Sequence, residues 1–320
     1  MRGPTISIVT PTFRRPDEVK GLLENIALQS MLPAEIVLVD GLTDGDSETE
    51  KIVAEIKDNF PFAVRYIRHG GGTAIQRNVG IEAARGDFIA FIDDDVRLDR
   101  DFLLNVINAF AADSDGKVGG IVGYRTNQYF GLDESQRWRW YKRLRLLSVY
   151  EPGRYDFKCG YPINNSMQPP FSGTRPVDFM TTACAVWRKE VFDSGLRFHP
   201  FFKDYGILED AHLSLRAGRE WELLQCGDAH CEEMNSPNGR TSRKTIGYKC
   251  VVNYYFVFRD IVNPLTFSHK FRFWRYQVFE LFRIAVSAVR RRNWDDVLDL
   301  RGRVEGVFRL LRGMENDSGN

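Results

Sequence analysis

The stretch ISIVTPTFRRPDEVKGLLENIALQSMLPAEIVLVD, residues 6–40, reads as a strand, a helix and a second strand. ISIVTPT (6–12) is a short apolar run suited to a buried strand. PDEVKGLLENIALQS (16–30) then spaces Val19, Leu22, Leu23, Ile26 and Ala27 at helical intervals, with Pro16 in a first turn where its missing N–H costs nothing. EIVLVD (35–40) is apolar again. The alternation continues outward: a helix over 47–60 opened by Ser47 with Glu50 placed for a capping box, strands over 63–69 and 87–93, helices over 75–85 and 101–112. Strands and helices alternating in this way predict an α/β fold with a mostly parallel central sheet flanked by helices.

Ligands of such sheets bind beyond the carboxyl ends of the strands. Those ends carry Pro11 to Arg15 after the first strand, Asp40 to Asp44 after the second, and Asp93, Asp94 and Asp95 after the fourth. Three adjacent carboxylates repel one another, and a divalent cation with a phosphorylated ligand would relieve that repulsion. A solvated acidic turn is the other reading of the triplet, and the convergence of three strand ends favours the cation.

Composition sets the outer bounds. A chain of 320 residues with 43% hydrophobic and 27% charged residues is globular and large enough for a substantial core. The formal net charge is +1, so no global feature points to nucleic acid. Residues 269–313 hold eleven Lys and Arg against five Asp and Glu, a local net of +6 that leaves −5 for the rest. Five cysteines without a CxxC pair fit free thiols in a reducing compartment. With no signal-peptide hydrophobic region and no run near a membrane span, a cytoplasmic protein is expected, at most resting on the inner face of the cell membrane.

The order ISIVTPTFRRPDEVKGLLENIALQ, IVLVDGLTD, TAIQRNVGIEAARGDFIAFIDDDV and GILEDAHLSLRAG resembles an inverting glycosyltransferase of family two, with the nucleotide-diphosphosugar (GT-A) fold, over about residues 5 to 240. The resemblance implies a nucleotide-diphosphosugar donor with Mn²⁺ or Mg²⁺. It puts Pro11, Thr12 and Arg14 under the nucleotide, Asp40 at the base, and Gln76, Arg77 and Asp94 on the nucleotide side. Asp93 would meet the ribose and also, with Asp95, the metal. For Arg77, a solvated helix residue is the other reading.

An inverting transfer also needs a base for the acceptor hydroxyl. The resemblance assigns it to Asp210 with Glu209 in support, about 115 residues beyond the triplet. An acid that merely caps the following helix is the alternative. His230 would complete the metal shell or be structural. The loop from Ser236 to Lys244, including Arg240, would close over the diphosphate or remain an exposed basic loop. Thr182, Ala183 and Cys184 would face the sugar, and Trp187 the sugar or the core. QRWRW (136–140) spells a processive-enzyme signature, but it precedes the Glu209-Asp210 pair where that signature follows it, so chance explains it better.

The expected organisation is a catalytic domain over 1–245, with a nucleotide half (1–125) and an acceptor half (126–245), and an aromatic, basic helical extension over 246–320. In that extension, FRFWRYQVFELFRIAVSAVRRR (271–292) presents Phe273, Trp274, Phe279, Phe282 and Ile284 either to an anionic membrane or to the catalytic domain. The function expected is metal-dependent transfer of a sugar to a hydroxyl of a glycan or lipid-linked acceptor, in cell-surface polysaccharide or glycolipid synthesis. Synthesis of the sugar nucleotide, or glycan or membrane binding without catalysis, are the competing readings. The glycine-poor PTFRRPDE loop argues against the first and the two acid clusters against the second.

Overall fold

The computed structural model of the chain describes residues 3–130, 136–204, 206–236 and 241–317, with side chains through 313. It forms two compact units, one of Met1–Gly131, Glu151–Arg154 and Asn164–Gly239 and one of Leu132–Tyr150, Tyr155–Ile163 and Arg240–Asn320.

The first unit opens with β1 (Ile6–Thr12), α1 (Pro16–Ile26), β2 (Glu35–Asp40), α2 (Glu48–Ile56), β3 (Ala63–Arg68), α3 (Thr73–Ala83) and β4 (Phe88–Ile92). β5 (Val96–Leu98), α4 (Phe102–Ala111) and β6 (Val118–Arg125) follow. The second unit then contributes α5 (Gln136–Arg143), β7 (Tyr155–Asp156) and β8 (Tyr161–Pro162). The first resumes with β9 (Thr174–Pro176), β10 (Cys184–Arg188), α6 (Glu190–Asp193), α7 (Glu209–Ala217) and β11 (Glu222–Glu233). α8 (Arg243–Ile261), α9 (Phe267–Arg291) and α10 (Trp294–Asp317) complete the second.

Nine strands make one sheet in the order β3-β2-β1-β4-β10-β6-β11-β5, with β9 beside β11. β3, β2, β1 and β4 run parallel, which is the half that the βα alternation predicts. β10 enters antiparallel between β4 and β6, and β5 and β9 lie antiparallel to β11, so the second half is mixed. The core strands are apolar at their centres: Ile8, Val9, Ile36 to Val39 and Ile89 to Ile92 are fully buried.

Two local features set α3 against the strand ends. Gly80 packs where a Cβ would overlap Val9 of β1, so the helix lies close on the sheet. Gly72 caps α3 at φ +89°, and the backbone of Asp204 occupies the place of its Cβ. Thr73 N donates to Asp204 O at 3.2 Å, which ties the start of α3 to the loop that leads into α7.

The helical unit has its own core. Phe258, Phe273 and Tyr255 pack together with Trp274 and Leu310 around them. α8 and α10 cross so closely that a Cβ on Gly302 would overlap the Lys244 carbonyl. QRWRW belongs here: Trp138 is 1% exposed and stacks edge-on against Tyr141, so this match is packing. No helix among the described residues is long and apolar enough to cross a membrane.

Candidate active site

The aspartate triplet leaves β4 in a tight turn, in which Val96 N bonds back to Asp93 O at 3.1 Å before β5 begins. The three carboxylates diverge. Asp94, 2% exposed, accepts from Thr12 Oγ1 at 2.8 Å and from Arg15 Nη1 at 2.6 Å. Burial pushes it up to about 6, although Arg15 and Thr12 both favour its charge. Expected on the nucleotide side, Asp94 instead fastens the turn to the end of β1. Asp95 Oδ2 accepts from Ser236 N at 3.1 Å and lies 3.6 Å from Arg15. Burial, and then the charge of Asp93, raise Asp95 above the usual carboxylate range.

Arg77 stands one turn into α3, and its side chain is only 4% exposed. Nη2 donates to Asp93 Oδ1 at 2.8 Å and Nη1 to Glu209 Oε1 at 3.2 Å. Its Nε is buried with no hydrogen-bond partner. These contacts exclude the solvated-helix reading of Arg77. A guanidinium can reach two carboxylates in this way because its donors fan out in a rigid plane.

Glu209 and Asp210 open α7. The residue at the cap is Leu208 at φ +69°, in the left-handed region, which costs a branched L-residue about 1 kcal/mol or more. Asp210 is therefore inside the helix, not its cap, and accepts from Ala211 N at 2.7 Å. Burial and the charge of Glu209 push Asp210 up to about 7, against the opposing pull of Arg77 and Arg125.

Arg125, at the end of β6, is a residue that the sequence did not single out. It bonds Glu233 Oε2 at 2.6 Å and Ser166 Oγ at 2.7 Å, and its charge reaches Asp210. Arg15 is a second one. Arg14, expected at the nucleotide, sits at φ +54° with its guanidinium 5.1 Å from the exposed Phe13 ring, while its neighbour Arg15 pairs with the triplet. Nothing in the sequence distinguishes two adjacent arginines; only the direction of the chain leaving β1 does.

Three expected positions already have partners within the fold, and a fourth lies outside the described residues. Asp40 is fully buried and accepts from Leu42 N at 2.9 Å, Ser47 Oγ at 2.8 Å and Tyr66 Oη, so it holds the β2 end together. Gln76 donates both amide hydrogens to main-chain carbonyls, Thr12 O at 2.9 Å and Val39 O at 2.7 Å, and thereby latches β1 to β2. His230 does not share a centre with Asp95. β11 pairs Cys231 with Leu98 and Glu233 with Val96, which sets His230 beside Asp99, 3.6 Å from its carboxylate and about 13 Å along the strand from Asp95. Arg240 lies outside the described residues. Pro11 and Thr12 end β1 as buried residues, Thr12 through its bond to Asp94. Thr182, Ala183 and Cys184 are likewise buried where β10 meets β4, and Trp187 is core at 1% exposure.

The donor set fits a divalent cation of limited protein ligation. Among the described residues no group of three or more His, Cys, Asp or Glu is arranged to hold a metal. Asp93 and Asp95 do supply carboxylates around one turn, and Asp95 is raised first by its burial and then by the charge of Asp93. Hard cations such as Mg²⁺ are commonly held by one or two carboxylates, with water and substrate phosphates completing the shell.

Comparison with known proteins agrees with the fold. PcManGT, a mannosyltransferase from Pyrobaculum calidifontis solved with GDP-Man and Mn²⁺, superposes with a TM-score of 0.57 at 15% identity, over 95% of this chain and 87% of that one. GalNAc-T7, solved with UDP, GalNAc and Mn²⁺, gives 0.55 at 15% identity, over 82% of this chain and 52% of that one. These likenesses establish the GT-A fold. An uncharacterized glycosyltransferase of Haemophilus influenzae is 36% identical over 90 residues, 28% of this chain and 29% of the relative. The putative glycosyltransferase EpsH of Bacillus subtilis is 32% identical over 117 residues, 36% of this chain and 33% of the relative. The chain thus spans about a third of the length of the curated relatives it matches. The family model described as Glycosyl transferase family 2 matches residues 7–195, more than half the chain and all of the sheet through β10, and the chain belongs to that family.

Proposed function

We propose that the chain transfers a sugar, with inversion, from a nucleoside-diphosphate sugar to a hydroxyl of a glycan or lipid-linked acceptor in cell-surface polysaccharide or glycolipid synthesis, adding one sugar or a few. The observation that carries this reading is the chain of contacts Asp93–Arg77–Glu209, which ends beside Asp210. Asp210 is a half-buried carboxylate pushed up to about 7, and a base poised near neutrality is suited to taking a hydroxyl proton. The neighbours solved with GDP-Man and Mn²⁺, and with UDP and Mn²⁺, support a nucleotide-linked donor and a divalent cation.

In this mechanism Asp210 accepts the proton of the acceptor hydroxyl as its oxygen bonds to the anomeric carbon. The bond from that carbon to the diphosphate breaks on the opposite face, which inverts the centre. Arg77 keeps Glu209 and Asp93 in register, and the charge of Glu209 helps to hold Asp210 at the pKa its task requires. A divalent cation held by Asp93 and Asp95 would supply positive charge to the departing diphosphate. Arg15, through Asp94, keeps the turn that presents those carboxylates in place.

The test is a screen of nucleoside diphosphates and their sugars by thermal shift with and without Mn²⁺, followed by transfer assays with the donor that stabilises. A Mn²⁺-dependent rise in Tm with one nucleoside diphosphate is expected, because a ligand that binds only the folded state stabilises it by mass action. The absence of any shift across the panel would contradict the proposal.

A further inference from the structure

α9 is apolar on two faces, and the helical unit uses only one of them. Phe273, Tyr276 and Ile284 are buried at 1%, 3% and 3% exposure within that unit. On another side Phe267, Phe271, Val278, Phe282 and Val289 are 85%, 58%, 63%, 68% and 79% exposed. At 3.6 residues per turn these five fall within a sector of about 60° and run about 33 Å along the helix. Scattered exposed apolar residues are ordinary, but a continuous stripe of this length marks a surface made to meet something. Phe273 and Ile284, which the sequence alone also turned toward an apolar environment, belong to the opposite, internal face.

The exposed charges of α9 itself have one sign: on the same helical count Lys270 and Arg290 flank the stripe, Arg291 falls on the internal side, and the exposed acid that follows Trp294, Asp295, is paired with Arg243 at 3.7 Å. The one acid of α9, Glu280, is fully buried and bonded to Arg137, Tyr141 and Arg283. The exposed charged residues of the helix are Lys270, Arg290 and Arg291, and Arg292 at its C-cap extends the run to Trp294, which is 71% exposed. A second copy of the chain would bring this face against itself, so cations would meet cations along the seam in either orientation. An anionic lipid surface offers the opposite charge at the depth of the flanking cations and an apolar layer beneath it.

We propose that the open face of α9 is a membrane-interface face, which lies flat on an anionic lipid surface with its phenylalanines inserted and the flanking Lys270 and Arg290 at the level of the phosphates. Trp294 stands at the position where an amphipathic ring is favoured between headgroups and water. The proposal is independent of the transfer chemistry, since it concerns only the helical unit.

Sedimentation of the full chain with vesicles tests it, using phosphatidylcholine alone and phosphatidylcholine containing phosphatidylglycerol. Binding to the anionic vesicles, at least tenfold tighter than to neutral ones and weakened by salt, is expected. Phe271→Ser with Phe282→Ser should lower it at least tenfold, with the thermal unfolding midpoint preserved because both side chains face outward. Lys270→Ala and Arg290→Ala together should remove most of the preference for anionic vesicles. Equal sedimentation with both vesicle types, or binding unchanged in the double phenylalanine variant, would overturn the proposal. A dimer in light scattering that the same phenylalanine changes dissolve, without vesicle binding by the parent chain, would overturn it in favour of a second copy.

Discussion

Arg77 holds Asp93 and Glu209 at the same time, at 2.8 Å and 3.2 Å, with its own side chain 4% exposed. One guanidinium thereby joins the turn after β4 to the first residue of α7. Arg77→Met leaves two carboxylates without their cation in a buried setting, and loss of one partner of such a network costs about 3–5 kcal/mol. A fall in denaturant midpoint of that order is expected. Arg77→Lys should keep part of the stability and lose most of the transfer rate, because an ammonium cannot span both carboxylates in one plane. Wild-type kcat in the lysine variant would remove Arg77 from the account.

Asp210 makes the stability of the ligand-free protein depend on pH in a defined direction. Its folded pKa is about 7 against a usual 3.8, so its contribution is fully present below about 4 and is lost as pH rises through 7. Asp210→Asn removes the charge from this half-buried site. The variant should therefore exceed the parent's melting temperature by clearly more at pH 8 than at pH 5, and match it only near pH 4, as read by differential scanning calorimetry. An equal offset at both pH values would mean that Asp210 does not titrate in this range.

The neighbouring aspartates should separate by phenotype. Asp94→Ala breaks the bonds to Thr12 and Arg15, which predicts a stability loss of about 1–3 kcal/mol. Asp95→Ala should instead spare most of the stability and weaken Mn²⁺-dependent donor binding roughly tenfold or more, since a direct ligand matters at least as much as its supporting partners. Isothermal titration with and without Mn²⁺ distinguishes the two. Identical effects would dissolve the division of labour within the triplet.

His230→Ala should leave the Mn²⁺ concentration dependence of transfer unchanged. The histidine faces Asp99 at 3.6 Å, and its strand register keeps it from Asp95. A large rise in the Mn²⁺ requirement would show that the ring reaches the turn after all.

The first half of the sheet was legible because it is local: each of β1, β2 and β3 is followed by a helix whose apolar spacing declares it. The triplet and the Glu209-Asp210 pair stood out in the sequence because adjacent acids there interrupt otherwise apolar segments. The roles of Asp40 and Gln76 were not. Both are polar residues at the right strand ends, and only the folded chain reveals that Ser47, Tyr66 and two carbonyls already occupy them. Arg125 was invisible for a related reason, since its partners Glu233 and Ser166 lie 108 and 41 residues away. On α9, periodicity identified an apolar helix, but two apolar faces on one helix cannot be assigned to inside and outside without the tertiary packing.

The central claim is that Asp210 takes the acceptor proton, and the pH dependence of transfer by the parent and by Asp210→Asn tests it most directly. With donor, acceptor and Mn²⁺ present, kcat/KM of the parent should rise about tenfold per pH unit below 7 and level above it, while Asp210→Asn binds donor with near-parental affinity and turns over roughly 10²–10⁴-fold more slowly without that rise. Parental turnover by Asp210→Asn, or the same pH profile in both proteins, would contradict the account.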